Sequence, residues 1–356
     1  MDNNILIPVL FIAVTWLITV IINGLLLKFS QSLGIRNKND VTIRWSNTSK
    51  PSLGGISMYV SFLLSVFLYL VINVNTNIFS DSHVIGLFVA SGLAFLMGLA
   101  DDAYNTKPLL KFSIQIICGL IIAMSGSIIN LSSHYWLNAL LTVFWVIVLM
   151  NSLNMLDNMD GITTSVVIFI LLSCLGANLF FKLDSHPYYN YILLGLIGSL
   201  IGFLFYNAPS SKIFMGDSGS QFLGLIAAFY SIKFLWNFDM SLDVPVWNKF
   251  YIILICFTAP AIDSLSVVIN RLKKGKSPMV GGKDHTTHHL VYAGFTEKQV
   301  WYVFLSISFL ASALGIFMMY LVRNEMKYES LLIVPFFFIT FYFLYRNTQK
   351  YQQPDK

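Results

Sequence analysis

Apolar runs of about twenty residues follow one another along almost the whole chain. A helix that crosses a bilayer needs about 20 consecutive apolar residues, so runs of this length restrict the chain to a membrane-embedded fold. Of the 356 residues, 56% are hydrophobic and 11% are charged, and the mean hydropathy is +0.71. Soluble domains carry about 25% charged residues. The sequence therefore predicts an integral membrane protein without a separate soluble domain.

The apolar runs are continuous and do not alternate with polar residues, which favours helices over the strands of a β-barrel. The predicted fold class is all-α: a polytopic integral membrane protein of about eleven transmembrane helices that form one domain, residues 1-356. The candidate spans are Ile5–Leu27, Gly54–Val74, Val84–Ala100, Leu109–Ile129, Trp136–Leu153, Gly161–Phe181, Tyr189–Tyr206, Ser218–Trp236, Phe250–Asn270, Val300–Val322 and Ser330–Tyr345.

Basic residues are distributed unequally between the predicted loops. Alternate loops carry 17 of the 22 Lys and Arg residues, and cytoplasmic loops of membrane proteins are enriched in these residue types. These loops are therefore predicted to be cytoplasmic, with the N-terminus outside and the C-terminus in the cytoplasm, in a plasma (inner) membrane. The loops on the other side carry only Lys182, Lys233, Lys249, Arg323 and Lys327.

Four polar clusters stand at the ends of apolar spans, all on the predicted cytoplasmic side. They contain the sequences LMGLADDAYNTK, NSLNMLDNMDGI and NAPSSKIFMGDSGS, and the stretch from 271 to 289. Ionisable residues at membrane depth are costly and are functional candidates by default. The clusters therefore predict one composite site, built by loops near 28-53, 101-111, 151-161, 207-220 and 271-298.

The residue types in these clusters suit a phosphate substrate and a divalent cation. Crowded carboxylates repel one another unless a cation lies between them, and hard oxygen ligands favour Mg²⁺ or Mn²⁺ over zinc. Basic side chains suit phosphate oxygens, and the glycines of MGDSGS let backbone N–H groups approach an anion. The combination predicts a metal-dependent site for a phosphate or diphosphate. The residues are Asp101, Asp102, Asp157, Asp160 and Asp217, together with Lys111, Lys212, Arg271, Lys283 and three histidines.

Other interpretations of single motifs are weaker. The histidines of HTTHH could form a zinc pair, but no cysteine and no HExxH pattern accompanies them. Asp263 lies inside the ninth span, and we expect it to be a buried carboxylate that a neighbouring span satisfies. A membrane transporter would place its ionisable residues near span midpoints, often in internal repeats, whereas here they stand at span ends.

The four clusters, in this order, resemble the polyprenyl-phosphate N-acetylhexosamine-1-phosphate transferases, which form glycosyltransferase family 4. The stretch SKPSLGGIS before the second span resembles the Pro-x-x-Gly-Gly entry of that family, so the resemblance runs from about Lys50 to about Leu290. Its members include the enzymes that begin O-antigen, enterobacterial common antigen and teichoic-acid linkage synthesis. Phospho-MurNAc-pentapeptide translocase is a relative.

The resemblance implies a reaction. N-acetylhexosamine 1-phosphate, GlcNAc-1-phosphate in the first instance, would pass from a UDP-sugar to undecaprenyl phosphate, giving undecaprenyl-diphospho-sugar and UMP. The implied cofactor is Mg²⁺ or Mn²⁺, the implied partners are the UDP-N-acetylhexosamine, undecaprenyl phosphate and membrane lipids, and no nucleic acid takes part. The sequence leaves open a homodimer and the donor sugar. The alternative reaction is transfer of phospho-MurNAc-pentapeptide.

The resemblance also implies residue roles around the lipid phosphate and the metal. Asp101 and Asp102 match the aspartate pair of the family, and Asp101 would deprotonate or position the lipid phosphate. Lys111, ten residues after Asp101, would hold phosphate oxygens. Asn154 and Asp217 match metal-binding positions.

Further roles concern the nucleotide. Asp160 would face the uridine, and Asp157 would support the metal region. Asn207 and Phe214 match residues that recognise uracil, by hydrogen bonding and by stacking respectively. Lys50 is a further candidate contact on the nucleotide side.

The loop after the ninth span carries the last group of matched residues. Arg271, His285, His288 and His289 match the loop that faces the diphosphate and the sugar. The chain lacks the consecutive-histidine pattern of the MurNAc-pentapeptide enzyme, which argues against that substrate. Asn105 replaces a third acidic residue of some relatives, and we do not expect it to be a ligand.

Two mechanisms remain open from the sequence. In the first, the lipid phosphate attacks the β-phosphorus of the UDP-sugar directly. In the second, Asp217 or Asp102 forms a covalent intermediate as the nucleophile.

Overall fold

The computed structural model describes residues 3–30, 50–238, 244–278 and 281–352, with side chains from residue 6 onwards. These residues form helices joined by short loops and contain no strand, which confirms the all-α prediction. Most of the predicted loop 28-53, including Arg36, Lys38 and Arg44, lies outside the described ranges. The α-helices are α1 Asn3–Phe29, α2 Gly54–Ile72, α3 Ser82–Tyr104, α4 Pro108–Met124, α5 Tyr135–Leu156, α6 Ile162–Phe181, α7 Pro187–Asn207, α8 Gly216–Ser231, α9 Val246–Cys256, α10 Thr258–Lys273, α11 Thr286–Tyr292, α12 Glu297–Arg323 and α13 Pro335–Lys350.

Eight helices of the described chain are long and apolar enough to cross a membrane, or up to nine if the bent pair α9–α10 forms one span. This is fewer than the eleven predicted. The predicted span 109–129 is shorter in the structure, because α4 ends at Met124 before Gly126, which has φ +93°. The predicted span 218–236 is the 16-residue α8 followed by a π-helical turn, Ile232–Trp236.

Helix α8 lies at the centre of the bundle. All of its residues from Ser218 to Ser231 are buried, including the polar Ser218, Ser220 and Gln221. Small residues of neighbouring helices allow close packing at its first turn. A Cβ on Gly98 of α3 would lie 2.3 Å from the Asp217 carbonyl oxygen, and a Cβ on Gly55 of α2 would lie 2.3 Å from the Gly219 nitrogen.

The predicted ninth span is broken. Helices α9 and α10 meet at Phe257 with an angle of 86° between them. Pro260, in the first turn of α10, has no N–H to continue the hydrogen-bond ladder from α9, so the proline favours a bend here. The bend directs α10 so that its last turn, with Arg271, reaches the same end of the bundle as the first turn of α8.

Candidate active site

A cavity of 720 Å³ opens at the end of the bundle where α3, α5 and α10 end and α8 begins. Twelve of the fourteen site residues predicted from the sequence line it. Asp102 and His289 do not line it. The lining members are Lys50, Asp101, Lys111, Asn154, Asp157, Asp160, Asn207, Phe214, Asp217, Arg271, His285 and His288.

Two carboxylates and one ammonium group form the centre of the cavity wall. The Lys111 Nζ atom lies 2.7 Å from Asp101 Oδ2 and 2.7 Å from Asp217 Oδ2. Asp101 is at the end of α3, Lys111 in the first turn of α4 and Asp217 in the first turn of α8. Three helix termini therefore converge on one cation position.

The amide of Asn154 orients the Asp217 carboxylate. Its Nδ2 group donates to Asp217 Oδ1 at 2.9 Å and to Ser220 Oγ at 2.9 Å. Asn154 lies in the last turn of α5, so this contact joins α5 to the start of α8. The two residues assigned to the metal by resemblance are therefore direct neighbours.

Asp102 holds the start of α8 and is not among the residues that line the cavity. Its carboxylate accepts hydrogen bonds from the Asp217 N–H at 3.0 Å and from the Ser218 N–H at 2.9 Å. An acidic side chain at a helix N-terminus satisfies backbone donors and stabilises the helix dipole. The contacts of Asp102 in the structure are those of a residue that positions the start of α8.

A left-handed turn after α3 supports Asp101. Asn105 has φ 51° and forms the C-cap of α3, a conformation that Asn tolerates better than most residues. The turn brings Thr106 back, so that its N–H and its hydroxyl donate to Asp101 Oδ1 at 2.8 and 2.6 Å. This backbone requirement accounts for Asn105 at a place where some relatives carry an acid.

An amide network that was not predicted from the sequence lies directly beneath the carboxylates. Gln115 donates to Gln221 Oε1 at 3.0 Å, and Asn151 donates to Gln115 Oε1 at 2.7 Å. Gln115 follows Lys111 by four residues and Gln221 follows Asp217 by four, so each lies one helical turn below a site residue. That spacing was the signal that could have revealed them.

The nucleotide-side candidates form a second group in the cavity. Asp160 Oδ2 accepts from Lys50 Nζ at 3.2 Å and from the Ser211 N–H at 3.0 Å. The Lys50 Nζ atom also lies 5.1 Å from the centre of the Phe214 ring, within the range of a cation–π contact. A lysine, a carboxylate and an aromatic ring therefore lie together at one wall of the cavity.

Asn207 is buried, and its amide already contacts the protein. Its Oδ1 accepts from the Gly161 N–H at 3.2 Å and from Thr164 Oγ1 at 2.8 Å, and its Nδ2 donates to the Ile213 carbonyl at 3.1 Å. These bonds fix the loop before α6 against the loop before α8. Contact with uracil would require some of them to be exchanged.

Arg271 is held by an acid that sequence analysis did not select. Its Nε and Nη2 donate to the two carboxylate oxygens of Asp284 at 2.8 and 2.7 Å, and its Nη1 donates to the Pro278 carbonyl at 2.7 Å. Burial alone would raise the pKa of Asp284, but the Arg271 guanidinium outweighs it and lowers that pKa below its usual value. The bidentate pair fixes the loop between α10 and α11.

Asp263 is a buried carboxylate that the protein satisfies, as predicted, although its partners lie in the short helix α11 and not in a spanning helix. His285 Nδ1 lies 2.8 Å from Asp263 Oδ2. The N–H and hydroxyl of Thr286 donate to Asp263 Oδ1 at 2.9 and 2.6 Å. Asp263 therefore sets the position of His285 at the cavity wall.

The other two histidines differ in their surroundings. His288 lines the cavity, and its Nδ1 accepts from the His285 N–H at 3.3 Å. Burial lowers the pKa of His288 to about 3, and the His285 imidazole contributes in the same direction. His289 instead contacts the Tyr351 carbonyl through Nδ1. His289 therefore lies outside the cavity lining, since α11 turns it towards the C-terminal segment.

The loop after α5 contacts α11 directly. Thr287 Oγ1 donates to Asn158 Oδ1 at 2.6 Å. This bond joins the second aspartate cluster to the histidine segment, 129 residues further along the chain. It also gives Asn158 a structural role.

The donor set agrees with a divalent cation that is shared with a phosphate substrate. The described residues contain no group of three or more His, Cys, Asp or Glu side chains placed to hold a metal. Mg²⁺ is commonly held by one or two carboxylates, with waters and substrate phosphates as its other ligands. Asp217 and Asp101 already converge on one cation, the Lys111 ammonium, so two carboxylates are available at one point.

Comparisons with known proteins agree with this site. The sequence model of glycosyl transferase family 4 matches residues 84–235. Residues 84–235 are a glycosyl transferase family 4 region. The matched part carries both aspartate clusters and Asp217, whereas Lys50, Arg271 and the histidines lie outside it. The resemblance stated from the motifs is thereby confirmed.

Curated proteins that are similar to this chain match more of it than residues 84–235. A probable undecaprenyl-phosphate N-acetylglucosaminyl 1-phosphate transferase of Bacillus subtilis is 27% identical over 74% of this chain and 71% of its own length. A decaprenyl-phosphate N-acetylglucosaminephosphotransferase of Mycolicibacterium smegmatis is 26% identical over 73% and 70% respectively. A phospho-N-acetylmuramoyl-pentapeptide-transferase of Staphylococcus carnosus is 26% identical over 85% of this chain and 96% of its own length.

Proposed function

We propose that the protein transfers N-acetylhexosamine 1-phosphate, GlcNAc-1-phosphate in the first instance, from a UDP-sugar to undecaprenyl phosphate. The products are undecaprenyl-diphospho-sugar and UMP, and the step is the first membrane reaction of a cell-surface polysaccharide or of a teichoic-acid linkage unit. The observation that supports it most is the convergence of Asp101, Lys111 and Asp217 at a 720 Å³ cavity whose other walls carry Lys50 and Arg271. A site for two phosphate-bearing substrates needs both cationic side chains and carboxylates that can bind a metal ion.

The reaction we propose is a direct displacement. An oxygen of the lipid phosphate forms a bond to the β-phosphorus of the UDP-sugar, and the bond from that phosphorus to the UMP oxygen breaks. Lys111 would hold phosphate oxygens, while its ion pair with Asp101 and the hydrogen bond from Thr106 to Asp101 stabilise the turn after α3. The contacts of Asp102 with two N–H groups of α8 favour this route over one in which Asp102 is the nucleophile.

A bound Mg²⁺ or Mn²⁺ would neutralise the charge of the diphosphate and of the departing UMP. Asp217 would hold it, with Asn154 beside that carboxylate and Asp157 near the same wall. The remaining coordination positions would be taken by water and phosphate oxygens.

We propose that the cavity faces the cytoplasm of a bacterial plasma membrane and that the chain spans the membrane eleven times. The eight long helices, the bent pair α9–α10, the shorter apolar helix α4 and α8 with its π-helical turn together give eleven segments. The excess of Lys and Arg in the loops at the cavity end supports a cytoplasmic orientation.

The alternative donor is UDP-MurNAc-pentapeptide. It is supported by the 96% coverage of the Staphylococcus carnosus phospho-N-acetylmuramoyl-pentapeptide-transferase, and it is disfavoured by the spacing HTTHH, in which only two histidines are consecutive. The two reactions share the acceptor, the leaving group and the carboxylate centre. They differ in the sugar that the loop between α10 and α11 must accept.

The test is a donor panel with the purified full-length protein, undecaprenyl phosphate and Mg²⁺. UMP release is measured in parallel with UDP-GlcNAc, UDP-GalNAc, a UDP-FucNAc-type donor and UDP-MurNAc-pentapeptide. We expect UDP-GlcNAc to be used and Asp217→Asn to reduce its turnover at least 100-fold. UMP release from the pentapeptide donor alone would support the alternative, and release from none of the donors by folded protein would overturn both.

A further inference from the structure

A second cavity, of 430 Å³, lies at the opposite end of the bundle from the candidate active site. We call it the opposite cavity. It is bounded by the start of α3 at His83, the turn after α4 at Gly126, the end of α6 at Lys182 and the end of α12 at Arg323. The other end of α3 carries Asp101, which places the two cavities a full helix length apart. The proposed reaction uses none of its residues.

Positive charge is concentrated around the opposite cavity. Lys182, Lys233 and Arg323 line it, and Asp184 is the single carboxylate among its described lining residues. The Lys233 Nζ atom lies 2.6 Å from Asp184 Oδ2, so that pair is neutral overall. Lys249 adds a further cation behind the wall, where it donates to the carbonyl of Asn130 at 3.4 Å.

The neighbouring acid does not neutralise this charge. Asp81, just before His83, accepts hydrogen bonds from the hydroxyls of Tyr188 and Tyr189, both at 2.6 Å. It does not line the cavity, and the Tyr189 ring lies between it and Lys233, whose Nζ is 3.9 Å from the ring centre. Lys182 is exposed, and no carboxylate of the described chain forms an ion pair with it.

The sequence makes this concentration of charge unexpected. Loops on the side opposite the active site carry five basic residues, and four of them lie at this cavity. Lys182 also has φ 53° at the C-cap of α6, a left-handed conformation in which Gly or Asn is usual. A lysine there costs backbone energy on the order of 1 kcal/mol, which a purely structural cap would avoid.

Arg323 is directed at the cavity by the end of α6. Its Nη1 donates to the Phe181 carbonyl at 2.7 Å, and its guanidinium carbon lies 5.6 Å from the centre of the Phe181 ring. Arg and Lys together are the usual pair for phosphate oxygens, since the planar guanidinium binds two oxygens and the ammonium adds a compact charge. The wall thus offers phosphate-binding groups at the end of the bundle opposite the candidate active site.

We propose that the opposite cavity binds a phosphate-type anion, supplied either by the headgroup of an anionic phospholipid or by free phosphate. Lys182 and Arg323 make the contacts, and the Lys233–Asp184 pair forms the floor. The inference does not depend on the proposed transfer reaction, because the two cavities share no residue.

The experiment measures ligand retention by the purified full-length protein in detergent, with native mass spectrometry and thermal unfolding. Phosphatidylglycerol, a phosphate-free galactolipid and inorganic phosphate are added separately. The variants are the double substitution Lys182→Asn with Arg323→Gln, and Lys182→Asn alone, which keeps a residue suited to the left-handed turn. Lys327→Gln is the matched control, because it removes a cation from the same side but away from the cavity.

We expect the wild type to retain phosphatidylglycerol and the double variant to bind it at least fivefold more weakly, with Lys182→Asn intermediate and Lys327→Gln unchanged. Stabilisation by inorganic phosphate that is lost in the same variants would identify free phosphate as the source. Equal retention by the wild type and the double variant, equal loss in Lys327→Gln, equal retention of the galactolipid, or no binding of any probe would overturn the proposal. UMP release from the donor panel reports folding separately.

Discussion

The ammonium nitrogen of Lys111 lies 2.7 Å from a carboxylate oxygen of Asp217, although the residues are 106 positions apart in the chain. The same nitrogen lies 2.7 Å from Asp101. This one side chain therefore compensates two carboxylates from two other helices, and it does so at the wall of the candidate active site. Removal of its charge should affect both the site and the packing of α3, α4 and α8.

We predict that Lys111→Met lowers UMP release at least 100-fold, because phosphate oxygens lose a donor and two carboxylates face each other without their shared partner. Lys111→Arg should recover part of the activity, since it restores the charge with a different shape. Lys107→Met is the matched control: Lys107 is exposed at the start of the same helix and should keep turnover within about twofold of wild type. Equal loss in Lys107→Met would contradict the assignment.

Substitutions of Asp102 test whether this residue positions helix α8 or acts as the nucleophile. Because it accepts two backbone N–H groups of α8, Asp102→Ala should lower the free energy of unfolding by about 2 kcal/mol and reduce turnover. Asp102→Asn keeps one acceptor oxygen and should lose less of both. If Asp102 were the nucleophile, both variants would be inactive to the same degree. Mass spectrometry of the protein quenched during turnover should show no sugar-phosphate adduct.

Asp284 should act on the reaction through Arg271. Its removal leaves the guanidinium without its bidentate partner, so we expect Asp284→Ala to raise the KM for the UDP-sugar about tenfold with a smaller effect on kcat. Lys276→Gln, an exposed change in the same loop, should leave both constants unaltered. A pure loss of thermal stability at constant KM would show that the pair serves folding alone.

The helical class of the fold was predictable from the sequence, whereas the lengths and bends of individual helices were not. Apolar runs identify helices reliably, whereas the backbone geometry at Gly126 and Pro260 decides where a helix stops or bends. Those two residues explain why α4 is short and why the ninth span is broken. The composition of an apolar run shows that the run is hydrophobic, but it does not give the angle between two helices formed within that run.

The candidate site was predictable where it is formed by charged residues, which are unusual in an apolar chain. Charged groups at span ends identified Asp101, Lys111 and Asp217 because such groups are costly in an apolar chain. Gln115 and Asp284 were missed for a different reason: their importance comes from the partner that each holds, and partners are set by tertiary packing. A motif assigned His289 to a loop but could not fix the direction of its side chain, which contacts the C-terminal segment.

The pH dependence of stability should report the environment of His288. Its pKa of about 3 in the folded protein compares with about 6.5 in an unfolded chain. As the pH falls below 6.5, His288 binds a proton in the unfolded chain but stays neutral in the folded protein. This difference lowers the free energy of unfolding by about 1.4 kcal/mol for each pH unit. Between pH 6.5 and 5 this amounts to roughly 2 kcal/mol.

Denaturation midpoints between pH 7.5 and 5 test this linkage. His288→Gln should flatten the decline, because the substituted side chain does not titrate, whereas His134→Gln in an exposed loop should follow the wild type. Asp284 contributes at lower pH and in the same direction, since its lowered pKa gives stability that is lost as the pH falls below about 4. Parallel curves for wild type and His288→Gln would show that His288 is not held neutral.

The C-terminal segment should support the active site from outside the cavity. Asn270 Nδ2 donates to Thr348 Oγ1 at 2.9 Å, Gln349 donates to Asn270 Oδ1 at 2.7 Å, and Tyr351 accepts from His289. These contacts hold the end of α10 and helix α11, which carry Arg271 and His285. A chain that ends at Arg346 lacks all three contacts.

We predict that this truncation lowers UMP release at least tenfold, because the loop between α10 and α11 loses its outer support while the helices of the bundle remain packed. Removal of residues 353–356 alone is the control and should preserve activity, since it leaves every one of these contacts in place. Thr348→Val should give an intermediate loss without a truncation. Because Thr348 is remote from the cavity lining, a kcat/KM that falls in Thr348→Val while the unfolding temperature holds would identify support of the loop as the cause. Full activity in the chain that ends at Arg346 would show that the loop is positioned by Asp263 and Asp284 alone.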